Sequence, residues 1–330
     1  MKRALPQSWK QLAGVPFYCQ KTLPNAKKVG IIKKPGARPC GEGGENMQKT
    51  AVILADSTCD LSPELAARYE IMILPLNILL GEKSCRDGTE ITPDEIYAWA
   101  DAQHTTPKTA APAMGDAVQA LKKAAQAGLP VICFGISEEM SSSCQVMRLA
   151  AEEAGIGNVH VIDSRNLSTG IGLQILRAAQ LAAAGVEARD IAARIEAARD
   201  KVRASFVVDT LTYLHRGGRC SAVTALLGNA LHLKPKITVE HGKMGVAKKY
   251  RGSREHVILQ YVEDLVPQLL HADPACVFIT HSGVGGDIIA AVSDRLAALG
   301  RFEHIHITRA GGVISSHCGP GTLGVLFYEE

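Results

Sequence analysis

Short apolar runs alternate with amphipathic segments from Thr50 onwards, and this alternation is the main structural signal in the chain. Runs rich in Val, Ile and Leu are typical of buried strands, whereas apolar residues at helical spacing predict helices. Strands that alternate with such helices indicate a parallel sheet joined by crossover helices. The predicted strands span 51–55, 131–136 and 159–162, and a further apolar stretch rich in Ile and Leu covers 71–80. The predicted helices begin after Ser62 and cover 92–103, 114–127, 142–154, 169–184 and 187–202, with a loop at 104–112.

Capping signals indicate where two of these helices begin. Ser62 stands directly before Pro63, the order expected of an N-cap and a first helical residue. Residues 92–95 read Thr-Pro-Asp-Glu, which has the spacing of a capping box. In that motif the Thr hydroxyl and the Glu carboxylate each bond a main-chain N–H that the helix leaves free.

The pattern changes after Gly217-Gly218, where strand-like segments become more frequent. Segments 236–240 and 244–250 flank His241-Gly242-Lys243, which predicts a hairpin. We therefore expect an N-terminal α/β domain over 49–210 and a C-terminal α+β domain over 211–330, with a ligand pocket between or beneath them. The remaining elements predicted in the second domain are helices 253–270 and 284–298 and strands 276–280, 304–308 and 323–328.

Residues 1–48 lack this periodicity and carry the basic excess of the chain. They contain nine Lys and Arg against two Glu, a net charge of +7, whereas the remainder has 27 basic and 31 acidic residues, a net charge of −4. The segment fits a disordered basic arm, a targeting segment, or upstream sequence translated from a start codon placed too early. We favour the last, with Met47 as the true start, because Gly41–Asn46 would be encoded by a purine-rich stretch like a ribosome-binding site.

Composition excludes several functional classes. The mildly acidic body argues against nucleic acid as a partner. No apolar run approaches the roughly 18–20 residues that span a bilayer, so the protein is not expected to be integral to a membrane. The nine cysteines form no C-x-x-C pair, which together with the lack of a signal peptide predicts a reducing, cytoplasmic location and no zinc ribbon.

Four polar clusters stand where ligands usually bind in α/β proteins, at 56–58, 108–112, 137–143 and 315–324. Each has an ordinary structural explanation, because Ser and Thr before a helix are usually N-caps and Gly-Pro-Gly is usually a turn. The sequence has no phosphate-binding loop, no G-x-S-x-G elbow and no metal-ligand spacing among its His residues. Neither a nucleotide cofactor nor a metal is therefore expected.

Five motifs in sequence order resemble those of the DegV family, whose members include the fatty-acid-binding subunits of bacterial fatty acid kinase. The resemblance covers about 49–330. Ala110 stands where the family motif has Ser, and Ser142 and Ser143 stand where it has Gly and Thr. The motifs are Asp56-Ser57-Thr58-Cys59-Asp60-Leu61, Thr109-x-x-Pro112, Met140-Ser141-Ser142-Ser143, Gly217-Gly218-Arg219 and His317-x-Gly319-Pro320-Gly321.

The resemblance implies a carrier and not a catalyst. One long-chain fatty acid would lie in a buried pocket with its carboxylate held by Thr109, Ser141 and His317. A separate fatty acid kinase would phosphorylate that carboxylate, and transient contact with a membrane surface is compatible with the role. Arg219 would contact the partner or the phosphoryl group, although pairing with a carboxylate of its own chain explains it equally well.

Two other functions stay open at the level of the sequence. Ser141 and His317 could serve a Ser/His acyl hydrolase or transferase, but the sequence identifies no orienting carboxylate and no oxyanion hole. Alternatively, the pocket could be too short for a lipid and hold another small carboxylate. The hydroxyls of Thr and Ser and an N–H of His can donate hydrogen bonds to a carboxylate in each case.

Overall fold

A computed structural model of the chain describes residues 49–224 and 233–330, together with the main chain of Ile31–Lys33, which forms strand β1. The next thirteen elements form the first part of the fold. They are β2 (Val52–Asp56), α1 (Pro63–Arg68), β3 (Ile71–Leu74), β4 (Asn77–Leu80), β5 (Lys83–Arg86), α2 (Pro93–Gln103), β6 (Lys108–Ala110), α3 (Met114–Ala125), β7 (Val131–Gly135), α4 (Ser143–Glu153), β8 (Val159–Asp163), α5 (Thr169–Ala183) and α6 (Ala188–Ala198).

The second part of the fold is richer in strands. Its elements are β9 (Val202–Val207), α7 (Thr212–Gly217), α8 (Ser221–Thr224), β10 (Leu233–Glu240), β11 (Lys243–Arg251), α9 (Arg254–Leu269), β12 (Ala272–Ser282), α10 (Gly286–Ala298), β13 (His304–Arg309), α11 (Gly312–Cys318) and β14 (Thr322–Glu329).

A parallel sheet of four strands, in the order β3-β2-β7-β8, forms the centre of the first domain. Every residue of β2 and β7 is buried, because helices cover both faces of these strands. Ser62 caps α1 and the capping box of Thr92 and Glu95 opens α2, as the sequence predicts. The predicted α/β class of this domain is therefore confirmed.

A small antiparallel sheet, β5-β4-β6, was not predicted. The apolar stretch 71–80 divides into two strands, since Pro75 and Leu76 separate β3 from β4, which pairs with β5 and β6. The loop expected over 104–112 contains β6. A strand of three residues with one side chain half-buried and two exposed has too little apolar pattern to be seen in the sequence.

The second domain is built on a seven-stranded sheet in the order β1-β13-β12-β14-β9-β10-β11. β12 and β13 are parallel and the other pairs are antiparallel, which confirms an α+β arrangement. β9 pairs with β14 and β10 although it precedes the boundary predicted at 210. The helix expected to run to 202 ends at Ala198, so the chain from Val202 onwards is free to form β9 and enter the sheet.

The N-terminal segment is described only at β1, which pairs antiparallel with β13. Ile31 lies opposite His306, and Lys33 lies opposite His304. The rest of the basic extension predicted over 1–48 lies outside the described residues. Met47, the predicted true start, is among the residues that the structure does not describe. In the described ranges, no helix combines the length and apolar character needed to cross a bilayer.

The predicted hairpin is confirmed and fastens the second domain to the first. β10 and β11 pair through Glu240 and Lys243, and the two residues between them both have positive φ, 49° at His241 and 82° at Gly242. This is the geometry of the tight turns that suit twisted strands. The Ser137 hydroxyl donates to the Gly242 carbonyl at 2.8 Å, so the turn contacts the loop that follows β7.

Gly242→Ala should destabilise the protein by about 1–2 kcal/mol, because a side chain is disfavoured at positive φ. A Cβ there would also lie 2.5 Å from the Ser137 hydroxyl oxygen. Urea unfolding measures the change, with Gly245→Ala as the matched control, since a Cβ at Gly245 on the same hairpin meets no atom within 4 Å. Equal stability of the two variants would contradict the prediction.

Candidate functional site

A cavity of about 290 Å³ lies between the two domains and takes its walls from both. Its volume is near the lower end of the range usual for small-molecule pockets, about 300–1,000 Å³. Most of the wall is apolar, which suits an apolar ligand. The buried apolar residues of the wall include Ile136, Met140 and Leu167 from the first domain and Phe206, Leu214 and Leu326 from the second.

The polar residues predicted from the sequence all reach this cavity. Thr109, Ser141, Arg219 and His317 line it together. Thr109 Oγ1 lies 2.8 Å from His317 Nε2, although the two residues are 208 positions apart in the chain. Thr109 stands on β6 and His317 in the last turn of α11, so the fold brings these two elements into contact.

Ser141 lies in the turn before α4, and its neighbour fixes its orientation. Its Oγ accepts the Ser143 N–H at 3.3 Å and lies 3.1 Å from Ser143 Oγ. Among the described residues, no hydrogen bond joins Ser141 to Thr109 or His317, so Ser141 shares the cavity with them without direct contact. Ser143, which stands where the family motif has Thr, therefore keeps a hydroxyl that supports Ser141.

His317 is neutral at physiological pH. Burial, and then the nearby charge of Arg219, lower the pKa of its imidazole to about 4. Its Nδ1 atom is enclosed and has no hydrogen-bond partner in the described part of the chain. A carboxylate at this site would thus meet a neutral imidazole, and its charge would have to be balanced by another group.

Arg219 supplies the positive charge at the site. Its Nη1 donates to the Gly217 carbonyl at 2.8 Å, and within the ranges that the structure describes no carboxylate forms an ion pair with it. The alternative that Arg219 serves only to pair with a carboxylate of its own chain therefore finds no support in these residues. The cation is free to attract an anionic ligand.

The polar end of the cavity is also its open end. Ala110, Ser142 and Arg219 all line the cavity and are exposed to solvent, while Thr109, Ser141 and His317 beside them are half-buried. Ala110 presents only a methyl group where the family motif has a hydroxyl. A ligand with one polar end would therefore place that end near solvent and its apolar part inside.

Two glycines of the motifs make room for neighbouring rings. A Cβ at Gly217 would lie 2.2 Å from His317 Nδ1, so the absence of a side chain allows the imidazole to pack against α7. Gly319 has a φ of +75°, and a Cβ there would lie 2.6 Å from the Tyr213 ring. The sequence suggested only a turn for Gly217-Gly218, a role that Gly218 fulfils with its φ of +68°.

The polar loop predicted at Asp56-Ser57-Thr58 is not part of the cavity wall. The Asp56 carboxylate accepts the N–H groups of Thr58 and Ile136, at 3.1 and 2.9 Å, and is fully buried. Burial raises the pKa of Asp56 to about 6 and that of Asp60 to about 8. The hydrogen bonds of Asp56 are structural, and this loop, which stands where ligands usually bind in α/β proteins, lies outside the cavity wall.

Comparison with known proteins places these features in a family. The family model for DegV proteins matches residues 50–330. A DegV domain-containing protein of Clostridium perfringens is 37% identical over 279 residues, which are 84% of this chain and 98% of that protein. The structure described as fatty acid binding of a DegV family protein from Thermus thermophilus has 31% identity and a TM-score of 0.77, and the match covers 85% of this chain and 100% of that one.

A more distant structure shares the fold. The fatty acid kinase B3 protein of Streptococcus pneumoniae, solved with linoleic acid, has 21% identity and a TM-score of 0.73, with 85% of this chain and 100% of that one covered. At this identity the likeness concerns the fold alone.

In the free protein, the His317 imidazole should titrate near pH 4, which NMR of its ring protons measures. Because the unfolded chain would bind this proton near pH 6.5, the contribution of His317 to stability should fall as the pH falls from about 6.5 to 4. Arg219→Gln should raise the pKa, since a nearby cation is removed, but burial should keep it below 6.5. Arg216→Gln, an exposed neighbour on α7, is the control, and a wild-type pKa of 6 or more would contradict the prediction.

Proposed function

The chain belongs to the DegV family, and we propose that it holds one long-chain fatty acid in the cavity, with the carboxylate bound by Thr109, Ser141 and His317. The proposal depends on one observation: Thr109, Ser141, His317 and Arg219 lie together in the wall of a mostly apolar cavity. Among the described residues no carboxylate forms an ion pair with the Arg219 guanidinium. The DegV protein of Thermus thermophilus, 31% identical, is described as binding fatty acid.

The hydrogen bonds at the open end leave donors for a carboxylate. If the neutral His317 carries its proton on Nε2, it donates to Thr109 Oγ1, and the Thr109 hydroxyl proton can then point to the ligand. His317 then contributes to the carboxylate site through Thr109, because its Nδ1 carries no proton. Ser141 Oγ accepts the Ser143 N–H, and its own proton can turn to the ligand in place of the 3.1 Å contact with Ser143 Oγ. Arg219 balances the negative charge.

The acyl chain would supply most of the affinity. Each buried methylene contributes roughly 0.8 kcal/mol, so about 15 methylenes set an upper limit near 12 kcal/mol before the costs of association. Desolvation of the carboxylate is costly unless donors replace its water, which explains why the polar groups gather at one place. Tight binding then requires no covalent bond to the protein.

The bound carboxylate would be presented to a separate kinase that forms the acyl-phosphate. The position of the polar groups at the open end supports this proposal, because a partner could reach the carboxylate there without opening the apolar cavity. The absence of a phosphate-binding loop from the sequence favours a division of labour between two proteins. Arg219, exposed beside the carboxylate site, would contact the transferred phosphoryl group or the partner.

A Ser/His hydrolase is less well supported. A nucleophilic Ser needs a base within hydrogen-bond reach, yet His317 Nε2 is bonded to Thr109, and the described residues show no bond from Ser141 to His317. Within the described ranges, no carboxylate orients the enclosed Nδ1 of His317. These contacts suit a binding site better than a catalytic one.

Native mass spectrometry of protein purified from bacteria should show a bound fatty acid of intact mass. Thr109→Ala and Ser141→Ala should each raise the Kd for that fatty acid by about 10- to 100-fold, since each removes a hydrogen bond to a charged group. Ser142→Ala, which removes an exposed hydroxyl from the same turn, is the control. Unchanged retention in the Thr109→Ala/Ser141→Ala double variant would refute the carboxylate site.

Arg219→Gln should lower the kcat/KM of acyl-phosphate formation by a bacterial fatty acid kinase by about tenfold or more, because one cation near the phosphoryl group is lost. The fatty acid Kd should change less than this. Arg216→Gln removes an exposed cation from α7, three residues before Arg219, and should leave both values unchanged. If the Kd rises as much as kcat/KM falls, Arg219 belongs to the carboxylate site and not to the phosphoryl contact.

A further inference from the structure

Three carboxyl groups are buried in the first domain without an ion-pair partner among the described residues. Asp56, Asp60 and Asp87 expose 0%, 6% and 3% of their surface. Their hydrogen bonds come from main-chain N–H groups and hydroxyls only. Burial of a carboxyl group is costly, so buried carboxyl groups are expected where their hydrogen bonds fix the position of a neighbouring element.

Two of these carboxyl groups contact the start of α11, in the second domain. The Gly311 N–H donates to Asp60 Oδ1 at 2.7 Å, and the Gly312 N–H donates to Asp87 Oδ1 at 2.7 Å. A helix leaves its first N–H groups without partners inside the helix. Here, residues from the other domain supply the acceptors.

The second oxygen of each group is fixed as well. The Ser168 hydroxyl donates to Asp60 Oδ2 at 2.5 Å, and the Ser57 hydroxyl donates to Asp87 Oδ2 at 2.8 Å. Each carboxyl group therefore bridges its own domain and α11.

The glycines at the start of α11 permit this close approach. A Cβ at Gly311 would lie 3.0 Å from Asp60 Oδ1, and one at Gly312 would lie 2.7 Å from Asp87 Oδ1. Larger residues would push the helix away from both carboxyl groups. The position of the helix is thus set by direct contact as well as by hydrogen bonds.

We propose that Asp60 and Asp87 are positioning residues, which hold the start of α11 so that His317, near its end, meets Thr109 and the ligand. α11 has seven residues, which is too short to be stable without tertiary contacts. A displacement of its first turn would move His317 from its 2.8 Å contact with Thr109. The part that concerns the ligand depends on the proposed function; the part that concerns His317 does not.

Substitution of each carboxyl group by Ala and by Asn separates positioning from general stability. Asp60→Ala and Asp87→Ala should shift the NMR signals of the His317 ring and raise the Kd for oleate by about tenfold or more, the effect of losing one good hydrogen bond. Asp60→Asn should restore both readouts in large part. Its amide oxygen can still accept the Gly311 N–H, and its amide nitrogen can donate to Ser168.

Leu121→Ala is the matched control for stability. Leu121 is fully buried in a core cluster that contributes no residue to the cavity, and its truncation should lower the stability of the fold by leaving a void. It should leave the His317 signals and the oleate Kd unchanged. A double-mutant cycle of Asp60→Ala with Thr109→Ala should be non-additive in the oleate Kd, because both changes act on the same contact.

The outcomes distinguish this inference from the proposed function. Unshifted His317 signals in both Ala variants, or equal shifts in Leu121→Ala, would overturn the positioning role. If the wild-type protein binds no oleate, the proposed function fails, while the His317 signals still test the positioning. Should the Ala variants not fold, Ser57→Ala removes one support of Asp87 and should give a smaller shift of His317 in the same direction.

Discussion

Buried carboxyl groups between the domains are the constraint on which the site depends. Polar groups away from water must find hydrogen-bond partners, and very few geometries satisfy all of them at once. Asp60 and Asp87 meet this requirement with the first N–H groups of α11. These hydrogen bonds tolerate less displacement than the apolar packing around them, so they hold the start of α11 against the first domain.

The small sheet β5-β4-β6 connects this constraint to the cavity. Thr109 lies on β6, and Asp87 follows β5, where its N–H donates to the Leu76 carbonyl at 2.9 Å. Asp87, next to β5, thus bonds the start of α11. Thr109, on β6, contacts His317 near the end of the same helix. α11 is held at both ends by a sheet of only three strands.

Polarity is distributed in the cavity so that charge stays near solvent. Most of its wall is apolar, and buried hydroxyls such as those of Ser168, Thr280 and Ser282 also line the interior, while Arg219 lies at the open end. Burial keeps His317 neutral, which leaves Arg219 as the cation that can balance an anion. This division lets a long apolar ligand enter the interior without a charge being buried with it. Ala110 makes the opening less polar than the family motif would.

The sequence by itself determined the elements whose signals are local. The capping box at Thr92, the Pro63 helix start and the turn at His241-Gly242 were readable because their hydrogen bonds or dihedral angles involve neighbours in the chain. The polar clusters were visible as residue types, but the meeting of Thr109, Ser141 and His317 in one cavity was expected only from resemblance to a family. Only tertiary structure decided that β9 joins the second sheet and that Gly217 makes room for the His317 ring. The same holds for the neutral state of His317 and the roles of Asp60 and Asp87, because burial and contacts over long separations leave no local pattern.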